Sequence, residues 1–75
     1  MGNLKSTIII KNQLNVLRAE KKITQQELAD AIGVTRATVN ALEKGNYNPS
    51  LELAFRLSLY FEKNIQDIFK IGEEQ

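Results

Sequence analysis

Thr24-Gln-Gln-Glu-Leu-Ala-Asp-Ala-Ile-Gly-Val-Thr-Arg-Ala-Thr-Val-Asn-Ala-Leu-Glu-Lys-Gly45 is the stretch on which the fold turns. Thr24 with Glu27 three residues later forms a capping box, in which each residue's side chain bonds the other's backbone N–H. Leu28, Ala29 and Ile32 follow at helical spacing, and Gly33 ends that helix because glycine enters the left-handed conformation cheaply. Thr35 can cap a second helix running from Arg36 to about Lys44, which Gly45 ends in turn.

Two helices of about two turns each, joined by a short glycine-containing turn, outline a helix-turn-helix motif. Counted at about 100° per residue, Val39 and Leu42 of the second helix share a direction and face the core. Arg36, Ala37, Asn40, Ala41 and Lys44 fill an outward arc of about 140°. A solvated helix face more often alternates Glu with Lys, yet the one acid here, Glu43, lies on the flank near the core. Arginine and asparagine can make paired hydrogen bonds to guanine and adenine, and alanines let the backbone lie close in a major groove. The arc is therefore expected to touch base edges through Arg36, Ala37, Asn40 and Ala41.

Residues 11–69, nearly four-fifths of the chain, resemble the Cro/repressor (Xre) helix-turn-helix regulators. The resemblance is carried by Leu17-Arg18, Ile23-Thr24-Gln25, Glu27-Leu28-Ala29, Gly33-Val34-Thr35-Arg36 and Thr38-Val39. It continues in Leu42-Glu43-Lys44-Gly45, Asn48-Pro49-Ser50-Leu51 and Ile65-Gln66-Asp67-Ile68-Phe69. It implies an all-α, five-helix, lambda-repressor-like bundle that binds double-stranded operator DNA as a dimer, with helix 36–44 in the major groove. It also implies that Arg18 pairs with Glu43; the other reading leaves both charges exposed. Gln25 takes the place of the family's phosphate-contacting glutamine, with ordinary helix surface as the alternative. Thr35, Thr38, Lys44, Asn46 and Tyr47 are expected to hold phosphates beside it, contacts that orient a protein without reading sequence.

Seventy-five residues allow one domain with a thin core. The sequence has neither cysteine nor histidine, which removes disulfides, thiolate metal sites and the commonest general base. No phosphate-cradling glycine loop and no paired carboxylates stand out, so neither an enzyme, a cofactor, a metal nor a small-molecule ligand is expected. The net charge of +1 is uninformative, but its distribution is not. Residues 1–48 carry seven Lys and Arg against four Asp and Glu, while residues 49–75 carry three against five. A polarised surface with the basic side at the motif follows, against a chance imbalance as the alternative.

Met1-Gly2-Asn3-Leu4-Lys5-Ser6 fits a loose myristoylation pattern, but a flexible leader over 1–7 is the preferred reading. The domain is expected over 8–71, with a flexible acidic tail at 72–75. Ser6-Thr7-Ile8-Ile9-Ile10 is too short to span a membrane or serve as a secretory segment, so a cytoplasmic protein is expected.

The first helix is expected from Asn12 to about Lys22, with Ile10, Leu14 and Leu17 as its stripe. Ser50 caps a fourth helix ending near Phe61, whose core face is read as Leu51, Ala54, Phe55, Leu57, Ser58 and Phe61. Leu53, Leu59 and Tyr60 are left over as an apolar surplus. The β-branched Ile8–Ile10 run favours a strand, and Phe69-Lys70-Ile71 is the only other β-like segment, so a short antiparallel ribbon joining the termini is expected. A homodimer would then form through Leu53, Leu59, Tyr60, Ile68 and Phe69. The rival function is a protein-interaction module, such as an antitoxin-like partner, which the apolar surplus on the fourth helix would serve.

Overall fold

Side-chain caps open three of the five helices in the computed structural model, which describes residues 8–72. The elements are β1 (Ile10–Asn12), α1 (Leu14–Lys21), α2 (Gln25–Ile32), α3 (Arg36–Glu43), α4 (Leu51–Phe61), α5 (Ile65–Ile68) and β2 (Phe69–Ile71). Thr24 Oγ1 accepts from Glu27 N at 3.0 Å, and Glu27 Oε1 accepts from Thr24 N at 2.8 Å, completing the capping box of α2. Gly33, at φ 79°, ends α2 in the left-handed region. Thr35 and Ser50 then accept from Thr38 N and Leu53 N, each at 3.1 Å, and so open α3 and α4.

Five helices with one small two-stranded sheet make the architecture expected from the sequence. Its centre is made of Leu14, Leu28, Val39, Leu42, Leu57 and Ile68, so that every helix contributes at least one fully buried side chain. The ribbon is antiparallel, with Ile10 opposite Ile71, Lys11 opposite Lys70 and Asn12 opposite Phe69. Among the described residues, no helix is long and apolar enough to cross a membrane. The leader 1–7 and residues 73–75 of the tail lie outside the described residues. Gly72 belongs with the ribbon, since its N–H donates to Ile9 O at 2.7 Å.

Three expectations need correction. The first helix starts two residues later than expected, because Asn12 ends the strand and its Oδ1 accepts from Leu14 N at 3.1 Å. Ile10 accordingly belongs to β1, not to a helical stripe. On α4 the buried face is Leu53, Ala54, Leu57 and Phe61, while Leu51 and Phe55 point outward with 72% and 53% of their surface exposed. The helix is apolar around most of its circumference, so periodicity could not choose which side faces inward.

Leu53 and Ile68, expected at a subunit contact, are thereby corrected: both are buried in this chain's own core. Tyr60 and Phe69 are half-buried against the same core. The Tyr60 ring meets Phe61 edge-on at 5.1 Å and carries Lys21 Nζ 4.9 Å from its centroid. Of the five side chains, Leu59 alone stands free, at 78% exposure.

Candidate nucleic-acid interface

The α3 helix is held at both ends and along its inner side. Val39 and Leu42 anchor it in the core, the Thr35 hydroxyl caps its start, and at its far end Leu42 O accepts from Asn12 Nδ2 at 2.8 Å. Fixing the inner side fixes the outer one. Arg36 and Ala37 are exposed and Asn40 and Ala41 half-buried, so the four expected base-contacting residues lie together on one face. Around them Thr35, Lys44, Asn46 and Tyr47 are exposed and Thr38 is half-buried. The hydroxyls of Thr35 and Thr38 are 3.0 Å apart.

The ion pair implied by the resemblance is present. Arg18 reaches from α1 to α3, donating to Glu43 through Nε at 2.7 Å and Nη2 at 3.2 Å. Its remaining nitrogen, Nη1, donates to Ile23 O at 2.9 Å. The Glu43 side chain is only 8% exposed. Burial alone would push its carboxyl up, but hydrogen bonds from Arg18 and Gln25, together with the arginine's charge, hold it below the usual carboxylate range. The same hydrogen bond raises Arg18 against the opposing effect of burial.

Gln25, the expected phosphate contact, is hydrogen-bonded within the chain. Its Nε2 donates to Glu43 Oε1 at 3.0 Å and, more distantly, to Asn40 Oδ1 at 3.4 Å. Beside it, the first backbone N–H groups of α2 have no intrahelical acceptor. The sequence reading also missed Asn12. An asparagine two residues before an apolar helical stripe is a capping signal, but its second bond, to a carbonyl thirty residues away, leaves no local trace.

The face has the hydrogen-bonding groups for a nucleic acid and none of the assemblies expected for metal chemistry. Among the described residues, no three His, Cys, Asp or Glu side chains are grouped as for a metal ion.

A helix-turn-helix family model matches residues 14–68. An uncharacterized HTH-type transcriptional regulator of Methanocaldococcus jannaschii is 48% identical over 66 residues, covering 88% of this chain and 100% of that protein. The cryptic phage CTXphi transcriptional repressor RstR of Vibrio cholerae is 32% identical over 83% of this chain and 56% of its own length. Among solved structures, the transcriptional regulator VanUg superposes with a TM-score of 0.77 at 26% identity, covering 99% of this chain and 100% of that one. The restriction-modification controller protein C.AhdI of Aeromonas hydrophila gives 0.66 at 30% identity, covering 72% and 82%. Capped α2 and α3 on either side of Gly33, the α1–α3 ion pair and a match across most of the chain lead to one assignment: this chain belongs to the Cro/C1-type, Xre-like helix-turn-helix family of transcriptional regulators.

Proposed function

We propose that the chain is a sequence-specific, double-stranded-DNA-binding repressor that acts in the cytoplasm as a homodimer on a near-palindromic operator. The observation that carries this reading is the outward face of α3, where Arg36, Ala37, Asn40 and Ala41 lie together with no acid among them. A helix anchored by Val39 and Leu42 presents that face to the major groove, where Arg36 and Asn40 read base edges and the alanines admit close approach. The N-terminus of α2, Thr35, Thr38, Lys44, Asn46 and Tyr47 hold the flanking phosphates. Repression is supported by the related RstR, which is named as a transcriptional repressor.

The dimer rests on a different observation. Leu51, Phe55 and Leu59 recur every fourth residue along α4 with 72%, 53% and 78% exposure, and Ile71 in the ribbon has 77%. Leu51 also borders an apolar groove of about 300 Å³ lined by Ile10, Pro49, Ala54, Ile65 and Phe69. A second copy related by a two-fold axis would cover this stripe and set the two α3 helices about 34 Å apart, one turn of DNA. The same stripe favours the rival reading, an antitoxin-like module that holds another protein.

Selection of bound sequences from a random DNA pool tests the reading. Two inverted half-sites are expected, with Arg36→Ala and Asn40→Ala each losing about 1–3 kcal/mol on the selected site. Folded variants that bind selected sites as tightly as the parent protein would leave the interaction module as the better account.

A further inference from the structure

The far end of α3 is fastened to strand β1 by one side chain, Asn12. A backbone N–H can only donate and a backbone carbonyl can only accept, so the two ends of the Asn12 amide are assigned without ambiguity. Its Oδ1 accepts from Leu14 N at 3.1 Å, and its Nδ2 donates to Leu42 O at 2.8 Å. Leu42 O is also where the helix turns into the loop that follows. It accepts from Gly45 N at 3.0 Å, while Asn46 N donates to Ala41 O at 3.0 Å and Gly45 stands at φ 76°. These nested bonds are a Schellman motif, which fixes how the chain leaves a helix. Asn12 thus takes the second lone pair of a carbonyl whose first sets the course of Lys44, Gly45, Asn46 and Tyr47. Asn12 is itself fixed, opposite Phe69 in the ribbon and next to Gln13, whose N–H donates to Ile68 O at 3.0 Å.

We propose that Asn12 is a positioning residue for DNA binding: it holds the 44–47 loop at the angle at which Lys44, Asn46 and Tyr47 meet the phosphate backbone. This rests on those residues holding phosphates as proposed above. Val39 and Leu42 already fix the base-facing side of α3 from within the core, so Arg36 and Asn40 are aimed without the bridge. The loop has no such anchor, since every residue from Lys44 to Asn48 is exposed. Its direction is set by the backbone bonds at Ala41 and Leu42 and by the Asn12 amide behind them. Phosphate contacts orient a protein without reading sequence, so loss of the bridge weakens specific and random DNA alike. A side chain that only capped the start of α1 would change stability and leave the folded protein's binding as it was.

The test compares the parent, Asn12→Ala, Lys44→Ala, the double variant and Arg36→Ala, each first shown to unfold cooperatively. Each is titrated onto the selected site and onto random-sequence duplex at several salt concentrations. Asn12→Ala should bind both duplexes about three- to tenfold more weakly, with the salt slope smaller by about one per subunit and base preferences unchanged. In the Lys44→Ala background the same substitution should add much less, because the contact it positions is already gone. If the alanine variant folds poorly, Asn12→Thr keeps a strand-favouring residue whose shorter side chain stops short of Leu42 O, and it should show the same slope. Parental affinity and slope in a folded but less stable variant overturn the proposal and leave the DNA reading standing. A changed base preference at unchanged slope does the same. If Lys44→Ala keeps the parental slope, the loop holds no phosphate through Lys44 and the inference falls with that assignment; if Arg36→Ala also keeps every base preference, the reading of α3 fails as well.

Discussion

Replacing Arg18 with methionine keeps the apolar stem against the fold and removes the guanidinium. The Glu43 side chain, 8% exposed, then loses donors at 2.7 and 3.2 Å and keeps only the 3.0 Å bond from Gln25. An exposed pair contributes at most about 1 kcal/mol, whereas stranding one member of a buried pair costs about 3–5 kcal/mol. Because Glu43 is nearly enclosed and Arg18 is 22% exposed, the expected loss lies toward the buried limit, at about 3 kcal/mol near neutral pH.

The pH dependence should also change sign. In the parent, the folded state holds the Glu43 carboxyl below its ordinary value, so its contribution is present above the unfolded pKa and fades as pH falls through the folded one. In Arg18→Met burial is left largely unopposed and the carboxyl rises. Its charge is then a penalty at neutral pH that is relieved as pH falls through the raised folded value. Urea unfolding of both proteins from about pH 7 to about pH 4 measures the gap. It should be widest near neutrality and narrow with acid, and in the Glu43→Gln background most of that narrowing should disappear. A gap below about 1 kcal/mol at neutral pH, or one that ignores pH, would show that the pair is no more than surface decoration.

Leu59→Lys should dissociate the dimer in sedimentation equilibrium while the monomer still unfolds cooperatively, with any loss of apparent stability growing with the protein concentration of the parent; a parent that is monomeric at micromolar concentration would remove the dimer. Ile68→Ala should instead cost about 2–5 kcal/mol in urea unfolding, since the side chain is fully buried within one chain. A loss under about 1 kcal/mol would place Ile68 outside the core.

Local chemistry was legible wherever a cap or a glycine decided a boundary. Thr24 with Glu27, Gly33, Thr35 and Ser50 act where the sequence placed them, because each uses neighbours within a few residues. What was not legible depends on distant partners. The ribbon's existence follows from its β-branched run, but its pairing begins at Ile10 and ends at Asn12, where a side chain is needed at both the start of α1 and the end of α3. The rotation of α4 was hidden by leucines on several faces, and only its neighbours choose Leu53 over Leu51. At the interface, the four outward residues of α3 follow from periodicity. The inward turn of Gln25 does not, since it is made by residues 15 and 18 positions away.

The terminal ribbon has a kinetic consequence. It pairs opposite ends of the described chain, Ile10 with Ile71, through only three residue pairs. Closing so long a loop costs about 3–4 kcal/mol of chain entropy before any pairing is gained. The helices must therefore draw the ends together first, as Gln13 N–H bonding Ile68 O at 3.0 Å already does, and the ribbon zips last in folding. By the same reasoning it opens first, in excursions that leave Leu28 and Val39 packed. Asn12 pairs with Phe69 in the ribbon and also donates to Leu42 O, so an excursion that frees Asn12 would remove a hydrogen bond from the last turn of α3.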